Sequence, residues 1–504
     1  MSLKNGTGLD FVSTHPFVKA TLQDKIRGVI FGSALGDCIG LYTGWLFSPT
    51  RRVQRSLPKY LEFLSKKIAE DAYPQGRFQL VDPATKFRND GHRSELCILP
   101  YSNPLQTMTL MANGKAWTDD TDHALLILLS YLHHNGQILS PTDLAERLKI
   151  WIDQGLRALD RPPCGIGKTV GSIVLDKEYL TNPSQKAHQY WVKGGRNVAP
   201  NGSLMRTHPL GIICLAFSLE KTFQVATDFS LITHADPRCI LACCISTGLI
   251  RGILRGEILD EKGLDTLLED AYTWVDSWVR DVRLPKDDAQ KEADSDIYEP
   301  DAREFLDREE FNQHAYAKTF SDLLLDASYK IGYVYKCLGT AILSLRMGMQ
   351  KSPHGSTPGT GSPPPLTNSA IFENIITELT YEAGDADTNA CAAGALLGSW
   401  LGYNSLPSHW RDGMDNNDWL MQKCNSLIQV IGVGYDGATP YDGKLDADTS
   451  PDGGKGLMNK EELEKRDSDM IVKYMTRHAE GVAEEKARLK AEEKQKKGWK
   501  SFLG

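Results

Sequence analysis

Apolar positions along this chain recur at the helical period, and the alternation that marks a strand is nearly absent. Pro141 to Ala158 carries Leu144, Leu148, Ile152 and Leu156 four apart, which predicts an amphipathic helix. His123-Ala-Leu-Leu-Ile-Leu-Leu-Ser130 predicts a second helix, apolar on most sides. Cys391-Ala-Ala-Gly-Ala-Leu-Leu-Gly-Ser-Trp400 predicts a third, built from small residues that let other backbones approach. From Ile26 to Phe47 the glycines Gly28, Gly32, Gly36, Gly40 and Gly44 stand four apart, along one face of a helix. That stretch is long enough to span a membrane. Its Arg27 and Asp37 make a buried core helix the better reading, because charge near a bilayer centre is costly. Helices joined by short glycine loops predict an all-α fold.

Between these helices the pattern weakens in places that read as additions to the core. Residues 1–21 read as a loose lead-in. Residues 48–116 are mixed and predict irregular structure with short helices. From Pro285 to Asn312 charge rises and apolar residues thin out, as in a surface insertion. Lys351 to Pro365 holds five prolines among Ser, Gly and Thr, the composition of a disordered loop. Residues 435–456 are rich in Asp and Gly but do not form an EF-hand loop. Counted from Asp446, the glycine position is Pro451 and the glutamate position is Leu457. Residues 433–504 then read as a linker followed by a solvent-exposed charged helix over Lys460 to Lys497.

Composition sets few further bounds. With 504 residues, length alone suggests more than one domain. A hydrophobic content of 41% and a charged content of 24% are ordinary for a soluble globular protein. The net charge of -8 offers no basic field, so specific nucleic-acid binding is not expected. The ten cysteines are scattered, mostly in apolar runs, with no zinc spacing. They read as reduced core residues, and with no secretory signal the expectation is a cytoplasmic protein, with the nucleus open. No membrane span is expected.

Candidate chemistry sits at helix starts. Trp117-Thr118-Asp119-Asp120-Thr121-Asp122 precedes one apolar helix, and Gly384-Asp385-Ala386-Asp387-Thr388 opens the small-residue helix. A lone aspartate there is an ordinary cap. Paired aspartates with a threonine resemble oxygen ligands for a hard cation. Two such starts suggest one shared site, since so much like charge needs cations to neutralise it. The alternative is two well-capped helices that never meet. Cys164-Gly-Ile-Gly-Lys-Thr-Val-Gly171 tempts a P-loop reading, but Pro162 stands where the first glycine belongs. The turn either cradles a phosphate with backbone N–H groups or is a plain helix-start loop. Asn201-Gly202-Ser203-Leu204-Met205-Arg206 enters another helix. His234 is either a ligand contact or a packing residue; no zinc-like partner stands at helical spacing.

Together these blocks resemble the ADP-ribosylglycohydrolases of the dinitrogenase-reductase-activating type. The matching blocks are Gly36-Asp37-Cys38-Ile39-Gly40, Thr118-Asp119-Asp120-Thr121, Gly165-Ile166-Gly167, Asn201 to Arg206 and Gly384 to Thr388, with Thr233-His234-Ala235 a weaker match. The resemblance covers residues 22–432 as one catalytic domain, with insertions at about 48–116, 285–312 and 351–366. The first block, with Leu41 to Trp45, looks most like the arginine-specific branch. The resemblance implies a compact orthogonal helical bundle around two Mg2+ or Mn2+ ions. It implies Thr118, Asp119, Asp120, Asp385, Asp387 and Thr388 as metal ligands, with Asp119 and Asp120 catalytic. Gly165, Gly167, Asn201, Gly202, Ser203 and His234 would line the cleft for ADP-ribose or an ADP-ribosylated substrate. A monomer is expected.

One departure stands out. Many members of the family carry a glutamate shortly after the glycine-aspartate block, and Thr43-Gly44-Trp45-Leu46-Phe47-Ser48 has no acid. Two readings follow. One is a metal-dependent hydrolase of the ADP-ribosyl C1″ bond, on a protein side chain or a small conjugate. The other is a catalytically weakened reader that binds ADP-ribose.

Overall fold

The structure, a computed structural model, describes residues 9–13, 15–41, 116–281, 306–327, 330–352, 367–434, 437, 439–470 and 472. Among the described residues every regular element is a helix, and isolated bridges pair Leu156 with Arg161 and Pro200 with Tyr333. The fold is all-α. The principal helices are α1 (Pro16–Gly40), α2 (Asp119–His133), α3 (Pro141–Gln154), α4 (Pro237–Leu254), α5 (Val334–Lys351), α6 (Asn368–Tyr381), α7 (Ala386–Leu401) and α8 (Asn417–Val430).

At the centre α1 lies along α7, the most extensive helix pair among the described residues. The glycine spacing explains why. A methyl group on Gly32 would lie 2.3 Å from the Gly394 carbonyl oxygen, on Gly36 1.9 Å from that of Ala390, and on Gly40 2.2 Å from that of Ala386. Only hydrogen fits at these crossings, so the two backbones touch over successive turns. Gly44 lies outside the described residues. The helix also starts earlier than the lead-in reading suggests, at Pro16, because the His15 Nδ1 caps it by accepting from the Phe17 N–H at 3.2 Å.

Around this pair, α4 and α5 pack against α7, and α2 and α8 against α1. All of α4 is buried. It is long and apolar enough to cross a membrane by length and composition, yet it is enclosed by the protein. The amphipathic α3 buries Leu144, Leu148, Trp151 and Ile152. It stops at Gln154 rather than Ala158, because Gly155 turns the chain with φ of 72°. The described cysteines are buried thiols.

The read insertions at 48–116 and 351–366 fall almost wholly outside the described residues, as does the first part of 285–312. The helix Arg308–Ala315 that follows docks on α5 through the buried Phe311 and Ala315. Residues 439–458 differ from the linker reading. They strap across α2 and α3: Gly443 N donates to Asn135 Oδ1 (2.6 Å), Arg147 Nη1 to Thr449 O (2.9 Å), and Gln154 Nε2 to Met458 O (3.1 Å). The buried Lys423 ammonium on α8 joins the strap between Asp446 (2.6 Å) and Asp448 (2.9 Å). The turn residues that make the segment look loose supply the carboxylates and free carbonyls that hold it. Residues 460–470 continue as a mostly exposed helix.

Candidate functional site

Two helix starts meet at the C-terminal end of α1. Asp37, in the last turn of α1, reaches the start of α2. Its carboxylate accepts from the Thr118 N–H (2.9 Å), the Thr118 hydroxyl (2.9 Å), the Thr121 N–H (3.1 Å) and the Thr121 hydroxyl (2.7 Å). Orphan donors of the first helical turn are thereby satisfied by a side chain from another helix. Lower on α2, the buried Asp122 accepts from Trp117 Nε1 (2.8 Å) and Trp151 Nε1 (3.0 Å) and pairs with Arg161. Asp122 is therefore committed to anchoring the helix, and Asp119 and Asp120 are left for other work.

The start of α7 abuts the same end of α1. A methyl on Gly40 would lie 2.5 Å from the Asp387 Cα. Ala383 (φ 60°) and Gly384 (φ 75°) bend the chain into this position, and no side chain fits at Gly384, 2.2 Å from the Leu325 carbonyl. Asp385 accepts from Asn201 Nδ2 at 2.7 Å, and Asp387 accepts from the Thr388 N–H at 3.1 Å. The reading of two capped helices that never meet does not describe this geometry.

The result is a buried cluster of like charge. Asp119 and Asp120 are pushed well above the usual carboxylate range, first by burial and then by neighbouring carboxylates. For Asp120 those neighbours are Asp37, Asp387, Asp119 and Asp385. Burial, then the Asp385 charge, raises Asp387 to about 7. Asp37 also rises to about 7, through burial, although the threonine donors pull the other way. Asp385 is raised by burial against the opposing Asn201 bond. Asp120 Oδ1 is buried with no hydrogen-bond partner in the protein.

The glycine turns border this cluster. Asp119 N donates to Cys164 O at 2.9 Å, and Gly165 (φ 96°) lies against Asp119, where a methyl would sit 2.4 Å from Oδ1. Gly167 opens a short helix, Lys168–Val174, with empty space where a side chain would stand. The Asn201–Ser203 turn is held by Asn201 N donating to Gly332 O at 3.0 Å. Gly202 faces His234, and a methyl there would lie 3.1 Å from His234 Nε2. Ser203 is fully buried, its hydroxyl accepting from Ser230 Oγ at 3.1 Å, so its side chain serves packing and only its backbone lies in the turn.

The donor set suits a hard cation: oxygen ligands, negative charge in excess, and one carboxylate oxygen without a partner. Thr118, Asp119, Asp120, Asp385, Asp387 and Thr388 would hold it. Among the described residues no three His, Cys, Asp or Glu side chains stand close enough together to hold a metal ion as they are placed, so the fit rests on donor chemistry. Sequence reasoning left Asp37 out of the site. A single acid near the end of an otherwise apolar glycine helix was the available signal. Residues 43–48, where the family glutamate is lacking, lie outside the described residues.

Fold and site define an all-helical protein with a buried acidic cluster bordered by glycine turns. Residues 18–436 match the family model described as ADP-ribosylglycohydrolase, and the chain belongs to that family of glycohydrolases. It is similar to ADP-ribosylhydrolase ARH3 of Danio rerio, 24% identical over 424 residues, covering 81% of this chain and 91% of the relative. It is also similar to an uncharacterized protein of Archaeoglobus fulgidus, 21% identical over 319 residues, covering 63% of this chain and 82% of the relative. A solved structure titled ADP-ribosylglycohydrolase-related protein complex aligns with a TM-score of 0.45 at 17% identity, over 82% of this chain and 99% of that one.

Proposed function

We propose that this chain is a metal-dependent hydrolase that cleaves the C1″ bond of an ADP-ribosyl group, on a protein side chain or a small ADP-ribose conjugate. The observation that carries the reading is the convergence of Asp119, Asp120, Asp385 and Asp387 in one buried cluster with Asp120 Oδ1 unpartnered. The family membership and the hydrolase name of the zebrafish relative support the same reaction. Two Mg2+ or Mn2+ ions, when bound, would supply Lewis acidity and lower the pKa of water at the site. The chain's own part is then specific. Asp120, ionised when cations offset its carboxylate neighbours, takes the proton of the attacking water and passes it to the departing acceptor atom, and Asp119, braced by the Gly165 turn, orients that water. The turns at Gly165, Gly167 and Gly202 would offer backbone N–H groups to the diphosphate and ribose, with open space at Gly167 for close approach. Asn201 holds Asp385 in place at 2.7 Å.

The test uses Asp120→Asn, which keeps size but removes the charge. Loss of a general base typically costs ~10²–10⁴-fold in rate, so release of ADP-ribose from a panel of conjugates should fall close to background. Calorimetric binding of ADP-ribose should fall much less. Undiminished turnover by the mutant in chelator would refute the reading. Tight binding with no turnover by the wild type on any linkage would make the protein a reader.

A further inference from the structure

Arg206 is fully buried behind the Asn201–Ser203 turn. Its Nη2 donates to Phe229 O (3.0 Å) and to Thr233 Oγ1 (2.7 Å), while Nε and Nη1 have no partner in the protein. Thr233 Oγ1 lies 2.7 Å from His234 Nδ1. These contacts settle the direction of each bond. A guanidinium only donates, so the Thr233 oxygen accepts from Arg206. The threonine has one proton to give. If His234 Nδ1 also donated to it, that hydroxyl proton would be buried with no acceptor, an unfavourable arrangement. If Thr233 donates to Nδ1, its hydroxyl both accepts from Arg206 and donates to the ring, and its proton is not stranded.

We propose that Arg206 and Thr233 are positioning residues that fix His234 with its proton on Nε2, so that it presents an N–H donor at the Gly202 turn to a phosphoryl or hydroxyl oxygen of the ligand. The ligand class rests on the proposed function; the tautomer does not. The His234 Nε2 is buried and without a protein partner, and Gly202 stands directly against it, so that a methyl there would lie 3.1 Å away. Burial, then the neighbouring Arg206, holds the ring neutral, well below the usual histidine range. A neutral ring with Nδ1 occupied as an acceptor has its donor fixed on the other side. The relay thus turns a buried positive charge that lacks a carboxylate partner into orientation of a ligand-facing group two bonds away.

The test is nitrogen NMR on the full chain labelled at histidine, with His234 assigned by its absence in His234→Gln. The expected wild-type spectrum shows a protonated Nε2 and an unprotonated Nδ1. Thr233→Ser keeps the hydroxyl and should keep this signature. Thr233→Val is nearly the same size and should lose it, with ADP-ribose affinity falling ~10-fold in Thr233→Val and little in Thr233→Ser. Circular dichroism and melting confirm that both variants fold. A wild-type His234 protonated on Nδ1, or a Thr233→Val spectrum like wild type, overturns the proposal. An Nε2–H signature in a wild type that binds no ADP-ribose upholds the relay and removes the ligand reading instead.

Discussion

The packing of α1 on α7 can be challenged with one methyl group. Gly32→Ala would place its Cβ 2.3 Å from the Gly394 carbonyl oxygen and 3.1 Å from that carbonyl carbon. Both are backbone atoms of a buried helix and cannot swing aside. Relief requires the helices to part by about 1 Å, which loosens the crossings at Gly28 and Gly36 as well. Overpacking of this kind costs about 1–3 kcal/mol, and the rigid neighbour argues for the upper end. Alanine returns about 1 kcal/mol through helix propensity. The net expectation is a loss of about 2 kcal/mol, a drop in Tm of about 2 °C for a chain of 504 residues. Gly263→Ala is the control, because the atoms around that glycine are 3.5 Å or more away. It should leave the Tm unchanged or slightly raised. Calorimetry on both variants reads the difference. A Gly32→Ala protein as stable as Gly263→Ala would refute the account of the central crossing.

Three further outcomes follow from side chains away from that crossing and from the acidic cluster. Asp37 and Asp387 sit at about 7 in the folded protein, above their ordinary 3.8. The fold therefore holds protons that the unfolded chain releases, and stability in chelator should fall as pH rises from about 4 to about 7. Mg2+ should then raise the Tm more at about pH 8 than at about pH 5.5, since it needs ionised carboxylates; a chelated Tm that climbs over this range would contradict the sign. Lys423→Met leaves Asp446 and Asp448 facing each other without the buried ammonium. Denaturant unfolding should show a loss of about 3 kcal/mol, and a loss below about 1 kcal/mol would mean the strap is not anchored there.

How much of this was legible in the sequence depends on the range of the interaction involved. The four-residue glycine spacing announces a close-packed helix face, because the period is local. It does not say that the partner is the Cys391–Trp400 helix, since any small-residue helix would serve. The Asp119-Asp120 and Asp385-Asp387 pairs are legible because a cap needs only one acid. Asp37 was not legible as their clamp: its four donors belong to Thr118 and Thr121, a long way down the chain, and only the fold brings them to it. Asp122 reads like another member of the oxygen cluster, and its diversion to Trp117, Trp151 and Arg161 is a matter of tertiary packing. The same holds for the strap at 439–458. Its Asp and Gly content gives a loop in any local reading, while the residues that hold it, Asn135, Arg147 and Lys423, come from three separate helix regions.

Charge bookkeeping at the meeting of the helices carries the cation argument one step further. Asp37, Asp119, Asp120, Asp385 and Asp387 would together carry -5 if all were ionised. The N-terminal ends of α2 and α7 each contribute about +0.5 from the aligned peptide dipoles. The hydrogen bonds from Thr118, Thr121 and Asn201 are neutral donors and leave the total unchanged. About -4 remains, buried, and burial alone would force protons onto several of these carboxylates. Two divalent cations carry +4 and match the remainder without protonation; one divalent cation would leave about -2 and at least one retained proton. Calorimetric titration of Mg2+ at about pH 8, repeated in buffers of different ionisation enthalpy, reads both the stoichiometry and the protons released. Two sites are expected, with protons released as Mg2+ binds and fewer of them the higher the starting pH. A single site, with carboxylates that stay protonated throughout, would break it.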